Sequence, residues 1–167
     1  MLTAEQNRRL TQTGPETPMA NLLRWYWWPV GAIAELVKDP VQPIRLIWEN
    51  LTLFRSERGE LGLLAERCAH RGLSLAYGIP QPNGLRCAYH GWTYDTAGHC
   101  VDMPFEPACL PLRIKAYAVQ ELGWLDLGLP RARAGAAPAT LGRVRARRHH
   151  LRHQLQAAPL QLGPVHG

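Results

Sequence analysis

Nowhere in the 167 residues is there an apolar run approaching the roughly 20 that a membrane span requires. The richest patch, Trp25 to Ala34, is short and is broken by Pro29 and Gly31. The opening MLTAEQNRRL carries no apolar core of the secretory kind, so a cytoplasmic protein without membrane contact is expected. No glycine-rich motif for a phosphate or a dinucleotide is present, and no internal repeat is visible. Cysteine is scarce, at four residues. In a cytosolic setting so few cysteines argue against a disulfide framework and for metal or redox chemistry. Acidic residues are missing altogether after Asp126.

What is present supports one ordinary domain, or a small domain with a tail: 46% apolar and 19% charged residues suffice for a packed core. The net charge of +6 is unevenly placed. Residues 1–122 hold 12 Lys and Arg against 12 Asp and Glu, whereas residues 123–167 hold 7 Arg against the single Asp126. The body of the chain is therefore neutral, which excludes a basic nucleic-acid-binding domain.

Three regions follow from the pattern. Residues 1–43 form an N-terminal extension, with a short helix over 3–13 that Thr3 caps and Gln6 completes as a capping box. A Trp-rich segment, Trp25 to Val30, comes next and is strand-like up to Pro29. Residues 44–122 read as short strands with tight turns, an all-β sandwich or barrel. Ile44–Trp48 and Leu51–Arg55 make a hairpin about Glu49-Asn50, and Glu57 to Glu60 turn the chain into Leu61–Glu66. Trp92–Tyr94 and Cys100–Asp102 flank another turn at Asp95 to Gly98, and Ile114–Val119 with a strand near Trp124 close the sheet. Residues 123–167 are different in kind. Ala, Arg, Leu, Gly and Pro make up 33 of these 45 residues, and Lys and Glu are absent.

The chemistry lies in Cys68-Ala69-His70-Arg71-Gly72 and Cys87-Ala88-Tyr89-His90-Gly91-Trp92, a C-x-H-x16-C-x2-H pattern. Two Cys/His pairs on separate loops can converge on one centre, and thiolate with imidazole suits either zinc or an iron–sulfur cluster. A Rieske [2Fe–2S] centre takes one cysteine and one histidine from each loop. Zinc ribbons use C-x2-C clips or a histidine-bearing helix, which this chain lacks; a zinc-stabilised binding module remains the alternative. Cys100 and Cys109 are expected to be small buried apolar groups. His99 is expected to be exposed and unliganded. Arg71 and Trp92 are candidates for a charge and an aromatic wall beside the centre, or for plain loop support.

CAHRG and CAYHGWTYD resemble the two cluster-binding boxes of Rieske non-haem iron oxygenases, the aromatic-ring hydroxylases and O-demethylases. Residues 1–30 resemble the N-terminus of phthalate dioxygenase-like oxygenase components, and the likeness runs to about residue 122. The resemblance implies a small Rieske domain in which Cys68 and Cys87 hold one iron, and His70 and His90 the other. It implies a [2Fe–2S] cofactor, a reductase or ferredoxin as electron donor, and delivery to a mononuclear Fe(II) in a neighbouring oxygenase subunit. A free-standing Rieske ferredoxin is the alternative carrier. The boxes lack the extra cysteine pair of respiratory-type Rieske proteins, which favours the lower part of the potential range.

The intact family also needs two histidines and a carboxylate for its mononuclear iron. His149, His150, His153 and His166 have no acidic residue nearby in sequence. The composition after Leu122 suggests a GC-rich gene read out of frame. Reading one nucleotide later can yield a Trp-containing strand and a Pro/Glu-rich linker. The expectation is an electron-transfer module cut off before its catalytic domain, with a basic arm or disordered tail as the other readings of residues 123–167.

Overall fold

The computed structural model describes residues 1–123 and the strand 125–129. The tail histidines, the arginine run and Trp124 lie outside the described residues. Helix α1, Ala4–Thr11, begins as expected: the Thr3 hydroxyl accepts from the Gln6 N–H (3.2 Å) while the Gln6 side chain accepts from the Thr3 N–H (2.9 Å). A second helix, α2 (Pro18–Leu23), has Thr17 as its cap and proline in its first turn.

Ten strands follow or interleave: β1 Trp28–Ala32, β2 Val41–Leu46, β3 Glu49–Arg55, β4 Leu61–Ala65, β5 Ile79–Gln81, β6 Gly84–Arg86, β7 Thr93–Tyr94, β8 Cys100–Asp102, β9 Ala116–Leu122 and β10 Leu125–Leu129. They build a six-stranded sheet in the order β1-β10-β9-β4-β3-β2 and a four-stranded sheet in the order β5-β6-β7-β8. All pairings are antiparallel. The all-β expectation holds.

The Trp-rich segment differs from its reading. Trp28 starts a strand that runs through Pro29 instead of ending there. This is possible because β1 is an edge strand, paired only with β10, where a missing N–H costs no ladder bond. A short helix, α3 (Ile33–Lys38), then crosses to β2 and buries Leu36.

The first hairpin also turns earlier than Glu49-Asn50. Leu46 pairs with Glu49, so the two-residue loop is Ile47-Trp48, with φ of 44° and 65°. Two successive positive φ values make a primed turn, normally the place of Asn-Gly. Long-range anchors override that local preference. The Glu49 carboxylate meets Arg24 at 3.3 Å and Lys115 at 3.8 Å, and accepts from the Tyr117 hydroxyl. Arg24 also donates to the Ile47 carbonyl at 3.1 Å, and Arg45 lies 5.5 Å over the Trp48 ring.

Both faces of β3 and β4 are covered, as their alternation requires. Leu51, Leu53 and Leu63 pack with Val30, Leu36 and Tyr117 in one core. Phe54 and Leu64 turn to the other, shared with Leu75, Leu85, Trp92, Tyr94, Ile114 and the cysteines 68, 87 and 100. This second core supports the loops carrying the Cys/His pairs.

Candidate metal centre

Each Cys/His pair sits on a loop built to the same plan. In the first, the Cys68 N–H donates to the Leu73 carbonyl (3.0 Å) and the Cys68 carbonyl accepts from the Gly72 N–H (2.9 Å). In the second, the Cys87 N–H donates to Trp92 (2.8 Å) and its carbonyl accepts from Gly91 (3.1 Å). Both turns close through a left-handed glycine, Gly72 at φ 70° and Gly91 at φ 75°, where a side chain would be strained. The spacing Cys-Ala-x-x-Gly therefore sets the loop, and the histidine occupies its third position in one loop and its fourth in the other.

The turns bring the two cysteines beside one another and the two histidines into ring contact. Cys68 and Cys87 are 4% and 3% exposed. The Cys87 thiol is raised above its ordinary pKa, chiefly by burial and further by the Cys68 thiol beside it; the N–H groups of Tyr89 and His90 act the other way. The rings of His70 and His90 meet edge to face with centroids 4.4 Å apart. His90 is lowered, first by desolvation and then by His70 and Arg71. It therefore stays neutral near pH 7, the form in which imidazole donates to a metal. His70 Nδ1 is buried with no hydrogen-bond partner, a costly state for a ring nitrogen unless a ligand takes it.

These features fit a group that takes two thiolates and two imidazoles. Among the described residues, no three or more His, Cys, Asp or Glu side chains converge as they would on a single ion. The donors stand instead as a thiol pair and an imidazole pair.

The neighbours divide in role. Trp92 is buried and stacks on His70, with centroids 4.7 Å apart and planes 10° from parallel, so it is the aromatic wall. Arg71 is exposed, and its charge acts on His90. His99 is exposed as expected, with Nδ1 3.1 Å from Asp95 Oδ2. Cys100 is buried as expected, but Cys109 is exposed. It lies in the proline-rich loop 103–113 outside the strands, where its thiol donates to the Cys100 carbonyl at 3.3 Å.

Sequence reasoning passed over Tyr94. Its buried hydroxyl accepts from the Ala69 N–H at 3.0 Å and lies 3.2 Å from Cys68 Sγ, a contact in which the hydroxyl is the donor when the sulfur is a thiolate. The phenol is held far above its usual pKa by burial first and by Cys68 next.

Comparison with known proteins agrees with this geometry. Residues 26–119, more than half of the chain, match the Rieske [2Fe-2S] domain family. The chain is 43% identical over 146 residues to the 5,5'-dehydrodivanillate O-demethylase oxygenase subunit of Sphingobium sp., covering 83% of this chain and 34% of that protein. It is 38% identical over 137 residues to the phthalate 4,5-dioxygenase oxygenase subunit of Pseudomonas putida, covering 77% and 31%. Among solved structures, it resembles the reduced complex between oxygenase and ferredoxin in carbazole 1,9a-dioxygenase, at 30% identity and a TM-score of 0.55, covering 64% of this chain and 29% of that one. The chain thus spans about a third of the curated relatives it matches. It belongs to the Rieske [2Fe–2S] domain family, on the side of the non-haem iron oxygenases, and its cofactor is a [2Fe–2S] cluster of the Rieske type.

Proposed function

We propose that Cys68 and Cys87 hold one iron of the cluster and His70 and His90 the other, in the electron-transfer module of an aromatic-ring oxygenase. The observation that carries this reading is the pairing itself: two adjacent buried thiols, and two touching imidazoles of which one has an orphaned buried nitrogen. Bound there, the cluster supplies reversible one-electron transfer, at a potential raised by imidazole ligation from about −400 mV towards the range of about −150 to +300 mV.

The chain's own groups prepare that chemistry. Burial keeps water from the thiols, and the N–H groups of Tyr89 and His90 with the Tyr94 hydroxyl direct positive dipoles at the sulfurs. Trp92 fixes the plane of the His70 ring. Tyr89, 57% exposed, has its ring centroid 3.8 Å from that of the half-buried His90, so a redox partner can approach the histidine on this side.

In the assembled enzyme the donor is a reductase or ferredoxin, as the carbazole 1,9a-dioxygenase complex pairs oxygenase with ferredoxin. The acceptor is the mononuclear Fe(II) of a catalytic domain in a neighbouring subunit, and the reaction is ring hydroxylation or O-demethylation. Metal and acid-labile sulfide analysis tests the reading. Two irons and two sulfides per chain are expected, with loss of the cluster in Cys68→Ser and Cys87→Ser. A colourless, zinc-replete, sulfide-free protein would overturn it in favour of a zinc-stabilised module.

A further inference from the structure

The equivalence of the two loops extends one residue towards the N-terminus. Arg67 precedes Cys68 as Arg86 precedes Cys87, so each loop reads Arg-Cys-Ala-x-x-Gly. In both, the guanidinium lies beside the closing glycine of its own turn, bonded to it in the first loop and packed against it in the second. Arg67 Nη1 donates to the Gly72 carbonyl at 3.0 Å. Arg86 lies against the main chain of Gly91: a Cβ built there would stand 3.0 Å from Nη2 and 3.1 Å from Nε. The Gly91 carbonyl is already taken by the Thr93 hydroxyl, at 3.2 Å. The second turn is therefore bonded by Thr93 on one side and covered by the Arg86 guanidinium on the other, with His90 as the residue before the covered glycine.

Charge distinguishes the two arginines from ordinary loop clamps. Among the described residues neither has a carboxylate within ion-pair distance. The nearest acid along the Arg86 row of the ladder is Asp102, reached only across Thr93 and exposed. Arg67 is exposed, so water screens it, whereas Arg86 is half-buried. A half-buried, uncompensated, permanent positive charge one residue from Cys87 favours whichever state of the centre is more negative.

We propose that Arg86 is a positioning and potential-setting residue. It packs over the His90 turn at Gly91, and its charge raises the reduction potential of the centre, with Arg67 a weaker counterpart on the other loop. The inference rests on the ligand set proposed above. Neither arginine touches the donor atoms, so the effect is electrostatic and conformational.

Iron and sulfide content together with a spectroscopic redox titration, on wild type, Arg86→Gln, Arg86→Lys and Arg67→Gln, tests it. All four chains are expected to hold two irons and two sulfides. Arg86→Gln shifts the titration to lower potential, by about threefold or more in the reduced-to-oxidised ratio against a fixed reference dye. Arg67→Gln shifts it less, and Arg86→Lys, which keeps the charge, stays close to wild type. A loaded Arg86→Gln chain with the wild-type potential overturns the proposal, as does an Arg86→Lys chain that falls as far as Arg86→Gln. Should Arg86→Gln fail to load, the order of Arg86→Lys and Arg67→Gln decides: a lysine variant lower than the Arg67 variant contradicts the assignment. Absence of iron and sulfide from wild type would overturn the ligand set itself, and content analysis separates that result from a failure at Arg86.

Discussion

Tyr94 sits between the two loops, joined to the first through Ala69 and Cys68 and to the second through the strand that follows Trp92. Removing its hydroxyl takes the partner from the part-buried Ala69 N–H, which costs about 0.5–1.5 kcal/mol. It also takes a donor from a sulfur that becomes more negative on reduction. Tyr94→Phe is expected to keep the cluster, lose stability by about that amount in urea, and titrate at lower potential. An unchanged potential would remove Tyr94 from the electrostatics of the centre. The four proposed donors stand out in the sequence because their spacing is local, while Tyr94 does not, since 26 residues separate it from Cys68 and only the fold joins them. Cys100 gives a second test. Burial raises its thiol from 9.0 to about 11, with Cys109 adding to the shift. Its neutral form is thus favoured in the fold, and the unfolded chain releases the proton first. The stability it contributes is full below pH 9 and is lost as pH rises through 11. Urea unfolding between pH 8 and 11.5 should show a decline that is smaller in Cys100→Ala, and equal declines would refute the assignment.

At the scale of elements, turns with standard chemistry were readable. The turns at Glu57 to Glu60 and Asp95 to Gly98 lie where their Gly residues put them, with Gly59 and Gly98 both at φ 85°. The Ile47-Trp48 turn was not readable, because neither residue favours positive φ and the anchors on Glu49 come from α2's flank and β9. Left-handed backbone at non-glycine residues costs roughly 1–2 kcal/mol each. Ile47→Asn with Trp48→Gly should therefore stabilise the protein by about 1 kcal/mol in urea, after loss of the Arg45 contact with Trp48. A destabilised double variant would show that the aromatic contact, not the dihedral strain, governs this hairpin. The edge position of β1 was hidden for a related reason: Pro29 reads as a stop until β10 is seen to pair on its one available side.

Over the whole molecule, two cores divide the labour. The core with Leu53 lies against α3 and away from the loops, while the core with Leu85 includes both loop cysteines. Leu53→Ala and Leu85→Ala each remove a fully buried side chain and should cost about 2–5 kcal/mol. Only Leu85→Ala is expected to lower cluster retention and broaden the redox titration. Equal effects of the two would mean that the centre senses global stability and not its own support. The central claim is the division of the donors, thiolates on one iron and imidazoles on the other. Mössbauer spectroscopy of the oxidised protein loaded with iron-57 tests it most directly. Two inequivalent quadrupole doublets of equal area are predicted; a single doublet from equivalent irons, or a protein that takes up no iron, would contradict it.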